Sequence, residues 1–173
     1  MQAIAGRRDE RAFAVLYDRY GPRMHRYFYR MLGRDAAKAE DFTQDLFIRI
    51  IEKPHLFDTN RNFRSWIYTL ALNLCKNEYR RNRHQETEWA ESEHDIPVDF
   101  LPESIDKQLF ESLLREAVEA LNDKHRPCFI LRYQEELSVA EIAEILELPE
   151  GTVKSRLFYA LRQVSGKVAW FNE

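Results

Sequence analysis

Apolar residues recur at intervals of three and four along almost the whole chain, and no stretch keeps the alternating pattern of a strand. The main interruption is Gln85 to Asp106, which contains eight carboxylates, two prolines and no Lys or Arg. Because such a stretch has no apolar face to bury, we expect an exposed, flexible linker. The sequence therefore predicts an all-α protein with two small helical domains, residues 1–84 and 106–173, joined by an acidic linker at residues 85–105.

Start and stop signals divide the first domain into four predicted helices. Gly21-Pro22 is expected to break an otherwise continuous pattern, because proline removes a helical hydrogen bond. Asp35 is expected to cap the third helix, which Lys53-Pro54 ends. The predicted helices are Asp9 to Tyr20, a second one ending at Gly33, Asp35 to Lys53, and about Phe63 to Arg83.

The second domain is predicted to end in a helix-turn-helix. Two helices come first, near Asp106 to Leu121 and Asp123 to Tyr133. Ser138 followed by Glu141 is a capping-box signature for the next helix, and the turn is expected at Glu147 to Gly151.

The last helix is predicted to be amphipathic, with a buried stripe and a basic, aromatic outer face. The stripe consists of Val153, Leu157, Ala160, Leu161 and Val164. The outer face consists of Ser155, Phe158, Tyr159 and Arg162, flanked by Lys154 and Arg156. Such a face suits a DNA major groove, where cations bind phosphates or guanine edges and a ring can contact a thymine methyl. A solvated helical hairpin is the alternative, but a large exposed ring such as Phe158 usually has a partner.

A second basic region lies in the fourth helix of the first domain. Residues 59–84 contain six cations and one anion. A polar loop precedes the helix, and Trp66 and Tyr68 follow. The side opposite the apolar stripe is polar to basic, and the stripe itself consists of Phe63, Ile67, Leu70, Ala71 and Leu74. This combination could hold an unstacked base and follow a single strand. Trp66 could instead be a core residue, and the cations at Arg80 to Arg83 a solvated helix end favoured by the helix dipole.

The third predicted helix has an acidic, partly apolar face. Ala39, Phe42, Leu46 and Ile50 point to one side, and Asp41, Gln44, Asp45 and Ile48 to the other, with Phe47 at the edge. This face either binds a basic, apolar helical partner or packs on a neighbouring helix, and the sequence leaves both interpretations open.

Signals for a membrane span, a metal site or catalysis are absent or weak. No run approaches the about 20 apolar residues of a span, and Met1 to Glu10 lacks a signal-peptide core, so a cytoplasmic protein is expected. Cys75 and Cys128 are expected to be ordinary buried thiols. His94-Asp95 occurs in metal-dependent phosphohydrolases, but no other His joins it at ligand spacing. We therefore expect no enzyme activity, catalytic residue, metal, cofactor or small-molecule substrate.

Four segments together resemble the extracytoplasmic-function (ECF) group of bacterial RNA polymerase sigma factors. They are AFAVLYDRYGPRMHRY, AEDFTQDLFIRI, FRSWIYTLALNLCKNEYRR and LSVAEIAEILELPEGTVKSRLF, in the order and spacing of that family. The resemblance covers nearly the whole chain. It implies that residues 1–84 recognise and open the minus 10 promoter element and dock on core RNA polymerase. It also implies that residues 106–173 recognise the minus 35 element.

The resemblance assigns three sets of residues. For the minus 10 element they are the loop residues Asp58, Thr59, Asn60, Arg61 and Asn62, with Thr69, Asn73, Lys76, Arg80 and Arg83 along the helix. For the minus 35 element they are Thr152, Lys154, Ser155, Arg156, Phe158, Tyr159 and Arg162. For core polymerase they are Asp41, Gln44, Asp45, Phe47 and Ile48. The implied partners are core RNA polymerase, promoter DNA and an anti-sigma factor.

The chain departs from the family at Tyr159, where an Arg is common, so the minus 35 sequence cannot be deduced. The alternative function is a helix-turn-helix transcriptional regulator that acts without polymerase.

Overall fold

The computed structural model describes residues 10–83 and 107–169, except for the side chains of residues 82, 83, 107 and 169. Every regular element within these two ranges is helical, as predicted. The two parts correspond to two compact units, which are described separately. The predicted cap Asp9, the linker at 85–105 with His94-Asp95, and Asp106 lie outside the described residues.

Helix α1 spans Glu10–Met31 and continues through Pro22, so the predicted break at Gly21-Pro22 is wrong. The helix is packed on both sides of this point. Tyr17 makes an edge-to-face contact with Phe47 before it, and Phe28 is fully buried after it. This packing offsets the cost of an internal proline, which is about 3 kcal/mol.

Helix α2 spans Ala36–Glu52 and confirms the prediction from local capping signals. The carboxylate of Asp35 accepts a hydrogen bond from the backbone N–H of Lys38 at 3.0 Å. Gly33 ends the preceding turn with a φ of 69°, a conformation that glycine adopts without strain. A short 3₁₀ turn, Pro54–Leu56, follows α2.

Helix α3 spans Phe63–Arg83, as predicted, and packs on both α1 and α2. The hydroxyl of Tyr79 donates a hydrogen bond to the backbone carbonyl of Met31 at the end of α1. The buried carboxylate of Glu78 pairs with Lys38 of α2 at 3.3 Å and with Arg81 at 3.0 Å. These contacts hold the carboxyl end of α3 against the turn between α1 and α2.

The described part of the second unit, residues 107–169, contains four helices. They are α4 (Lys107–Glu119), α5 (Arg126–Phe129, continued by a π-helical turn at Ile130–Gln134), α6 (Val139–Leu146) and α7 (Glu150–Ala169). Helix α7 packs on α4 and α5. The capping box of α6 is confirmed, because the Glu141 N–H donates to Ser138 Oγ and the Ser138 N–H donates to the Glu141 carboxylate. Helix α7 begins at Glu150, so the turn is shorter than predicted.

Candidate nucleic-acid and polymerase interfaces

Helix α7 exposes most of the outer face that its sequence predicts. Phe158 is 61% exposed and Tyr159 is 52% exposed, and Lys154 and Ser155 are also exposed. The hydroxyl of Ser155 donates to the backbone carbonyl of Gly151 at 3.0 Å, so its oxygen lone pairs point away from the helix backbone. Aromatic edges, a hydroxyl acceptor and cations thus lie on one solvent-facing surface.

Leu161 does not face the core, although the apolar stripe predicts that it does. It is 40% exposed, whereas Val153, Ala160 and Val164 are buried. On a helical wheel Leu161 lies about 60° from the centre of the stripe, towards Phe158. Phe158, Leu161, Arg162 and Ser165 lie side by side on one open face of α7. The outer face of α7 is therefore more apolar than the sequence indicates.

Two residues of the predicted minus 35 set also make contacts inside their own unit. Arg156 is half-buried beside the Cys128 thiol. Burial raises the pKa of Cys128, and the Arg156 guanidinium acts in the opposite direction. The ring of Tyr159 stacks on His125, with centroids 6.2 Å apart. Thr152 and Arg162 are half-buried.

The loop at residues 58–62 is exposed and is shaped by its own polar groups. The Asp58 carboxylate accepts a hydrogen bond from the Asn60 N–H at 3.0 Å, and the Asp58 carbonyl accepts one from the Arg61 N–H at 2.9 Å. The Asn62 side-chain oxygen accepts a hydrogen bond from the Arg64 N–H at 2.8 Å, which caps the start of α3. The tip, residues 59–61, points to solvent.

A cluster of aromatic rings packs beside the two ends of this loop. Phe57 and Phe63 flank the loop, and Trp66 lies one turn further along α3. Trp66 is half-buried in this cluster, so the structure favours a packing role for it. The sequence interpretation assigned no role to Phe57 and treated Phe63 only as part of the buried stripe. The sequence does contain a sign of this aromatic cluster, because Phe57, Phe63 and Trp66 all lie within ten positions around a polar loop.

Helix α3 exposes Asn73, Lys76 and Arg80 in a row that begins about three turns beyond the loop. Thr69 is half-buried, and its hydroxyl donates to the Ser65 carbonyl at 2.9 Å. Only the backbone of Arg83 is described. The loop directly precedes α3 and the exposed row lies on α3, with the buried and half-buried residues 63–72 between them.

Four of the five residues predicted to dock on polymerase are exposed on α2. Asp41, Gln44 and Asp45 are exposed, and Ile48 is 50% exposed. The structure corrects the prediction for Phe47. This residue is only 2% exposed and packs against Tyr17 with ring centroids 4.8 Å apart. Phe47 therefore belongs to the core beneath the face.

The described residues contain no group of three or more His, Cys, Asp or Glu side chains that could hold a metal ion. Among the helices of residues 10–83 and 107–169, none is long and apolar enough to span a membrane. Both cysteines are buried and free, as expected. Burial raises the pKa of Cys75, so this thiol stays protonated.

Comparison with known proteins identifies the family to which this chain belongs. Residues 16–85 match the family Sigma-70 region 2, and residues 111–164 match Sigma-70 region 4. The chain is 36% identical over 159 residues to the ECF RNA polymerase sigma factor SigW of Bacillus subtilis, covering 86% of this chain and 84% of SigW. The chain belongs to the ECF RNA polymerase sigma factors. It is also 35% identical over 149 residues to the ECF sigma factor SigL of Mycobacterium tuberculosis, with 86% and 84% coverage.

Solved structures show the same fold for this sigma factor. CnrH in complex with the cytosolic domain of CnrY has a TM-score of 0.72 at 23% identity, covering 99% of this chain and 95% of that one. RpoE from Bartonella quintana, solved with the anti-sigma factor NepR, has a TM-score of 0.70 at 22% identity, with 94% and 99% coverage. The family consists of transcription initiation factors, so this sigma factor acts in the initiation of transcription.

Proposed function

We propose that this sigma factor binds core RNA polymerase through α2 and directs it to promoters by recognising two DNA elements. Helix α7 recognises the minus 35 element, and the loop at 58–62 with α3 recognises and helps to open the minus 10 element. The observation that carries the proposal is the presence of both sigma-70 regions in one chain, each with an exposed basic helix face. The protein works in the cytoplasm with polymerase, and the resemblance adds an anti-sigma factor as a partner.

The minus 35 contact follows from the chemistry of α7. Lys154 and Arg162 reach phosphates or guanine edges, Ser155 accepts a hydrogen bond, and the ring of Phe158 contacts a thymine methyl. The exposed Leu161 beside Phe158 extends this apolar contact.

The minus 10 contact uses the surface of the first unit. The exposed loop tip meets an unstacked base, while Asn73 offers both a donor and an acceptor to a base edge. Lys76 and Arg80 then hold the phosphates of the same strand. Opening is favoured because the unstacked strand gains contacts that paired DNA cannot make.

The docking contact uses the exposed side of α2. Asp41 and Asp45 offer two carboxylates beside the half-exposed Ile48. An apolar residue ringed by charged and polar groups is the usual composition of a protein interface. We therefore expect a partner surface on polymerase with cations around an apolar centre.

Two substitutions separate the minus 10 and docking roles. Asn73→Ala should reduce open-complex formation about tenfold, the size of one lost base contact, and leave core binding unchanged. Asp45→Arg should reduce core affinity about tenfold through charge repulsion, with little change in thermal stability. Permanganate reactivity of promoter thymines measures opening, and fluorescence anisotropy with core enzyme measures docking.

Asp18→Arg is the matched control for Asp45→Arg, because it makes the same charge change at an exposed position of α1. Normal promoter melting by Asn73→Ala would remove Asn73 from the minus 10 site. Equal losses of core affinity and thermal stability in Asp45→Arg would mean that this face of α2 packs inside the protein rather than on polymerase. A chain that binds promoters but does not co-purify with core polymerase would be a helix-turn-helix regulator instead.

A further inference from the structure

Two aromatic rings bridge the ends of the loop at 58–62. Phe57 directly precedes the loop and Phe63 directly follows it. Their ring centroids are 5.3 Å apart and the ring planes are at 78°, which is an edge-to-face contact. We call this pair the aromatic clamp. It joins the two ends of the loop through side chains as well as through the backbone.

Two further rings attach the aromatic clamp to the helices. Trp66 of α3 lies 5.0 Å from Phe57 and 5.5 Å from Phe63, between ring centroids. Tyr20 of α1 contacts Phe63 at 5.1 Å. The aromatic clamp, and with it the two ends of the loop, is therefore packed against both α1 and α3.

The five loop residues form two groups, those whose polar atoms shape the loop and those that are exposed at its tip. One side-chain oxygen of Asp58 and one of Asn62 accept backbone hydrogen bonds that shape the loop and cap α3. Thr59, Asn60 and Arg61 form the exposed tip between them.

We propose that the aromatic clamp is a positioning device for promoter recognition, and that it holds Thr59, Asn60 and Arg61 in the geometry that distinguishes one minus 10 base from another. This inference rests on the proposed role of the loop and adds residues that do not themselves contact DNA. A recognition loop that is ordered before binding does not pay the cost of ordering at the moment of binding. Without the clamp the loop still reaches the strand, but it adapts to more than one base.

The test measures base preference in holoenzyme rather than total activity. Single-round transcription from promoters that differ by one minus 10 base gives the preference for the better base. Phe57→Ala removes the ring contacts with both Phe63 and Trp66, so it should reduce this preference at least about tenfold, the upper range for a single aromatic pair, and leave core affinity unchanged. Phe57→Tyr keeps the ring and should retain the preference. Hydrogen exchange of the Arg61 amide, which bonds to the Asp58 carbonyl, should become faster only in Phe57→Ala.

The matched control is Phe13→Ala, which removes a ring contact with Phe47 in the same unit, with centroids 6.0 Å apart, away from the loop. It should keep the base preference. An unchanged preference in Phe57→Ala, or an equal loss of core affinity, would overturn the proposal.

A triple variant of Thr59, Asn60 and Arg61 to Ala tests the proposed function separately. Loss of base preference in this variant supports the role of the loop. If the triple variant keeps its preference, the loop is not the minus 10 reader and the inference fails with it. If only Phe57→Ala keeps its preference, the inference alone fails.

Discussion

Gly151 of α7 is a residue whose identity is not explained by the packing of the described residues. It is the second residue of α7, and among the described residues a Cβ built on it meets no atom within 4 Å outside the adjacent backbone of its own helix. Nothing inside the protein therefore requires glycine here, although glycine in a helix costs about 0.5–1 kcal/mol relative to alanine. If α7 binds DNA as proposed, a close approach of the DNA backbone to this end of the helix would explain the missing side chain.

Gly151→Ala should therefore separate stability from binding. We expect the free energy of unfolding to stay the same or rise by up to about 1 kcal/mol, because alanine is the better helix former. Minus 35 affinity should fall, since the added methyl occupies the space of the sugar-phosphate chain. Urea denaturation and gel-shift titration with a minus 35 duplex measure the two effects. Undiminished DNA affinity in a correctly folded variant would show that the glycine has no role at the interface.

The turn between α6 and α7 is the element that sets the geometry of the helix-turn-helix. Glu147 adopts a φ of 56° in this turn, in the left-handed region that non-glycine residues rarely occupy. The Leu148 N–H bonds to the Ala143 carbonyl at 3.0 Å, which fixes the end of α6. The turn is therefore maintained at a conformational cost in its backbone.

Glu147→Gly should relieve that cost. We expect a gain of about 1 kcal/mol in the free energy of unfolding, because glycine reaches the left-handed region without a Cβ clash. Glu144→Gly is the matched control, since the same replacement inside α6 should destabilise by about 1 kcal/mol. Thermal denaturation of both variants measures the difference. A lower melting temperature for Glu147→Gly would mean that its side chain, not its backbone, stabilises the turn.

Local chemistry accounts for the elements that the sequence predicted correctly. The caps at Asp35 and Ser138 act within three residues, so α2 and α6 begin where the pattern indicates. Pro22 was misjudged because the packing that keeps α1 continuous comes from residues distant in sequence. Leu161 and Phe47 lie at the edges of helix faces, where their exposure depends on the positions of neighbouring helices. The aromatic clamp differs, because its rings are close in sequence but their contact depends on how the loop between them folds.

At the scale of the whole molecule, charge is strongly segregated. The formal net charge is −3, yet residues 59–84 and the outer face of α7 are basic while residues 85–106 contain eight carboxylates. Lys154, Arg156, Arg162 and Lys167 give α7 four cations for phosphates. Four phosphate contacts imply a salt slope of about −3.6, or roughly two decades of affinity lost between 50 and 200 mM salt. We therefore expect α7 alone to hold a promoter only weakly.

The acidic stretch should weaken DNA binding further in the free chain, because its carboxylates repel phosphates and compete for the basic faces. Polymerase would remove this competition by separating the domains and offering cations to the linker. We therefore expect the free chain to bind promoter DNA weakly and the holoenzyme to bind it tightly. Replacing Glu86, Glu88, Glu91 and Glu93 with Gln should raise the DNA affinity of the free chain, and more so at low salt, where charge is least screened. Gel-shift titrations of parent and variant at two salt concentrations measure this. Identical affinities at both concentrations would show that the linker does not restrain DNA binding, leaving the few phosphate contacts of α7 as the reason for weak binding by the free chain.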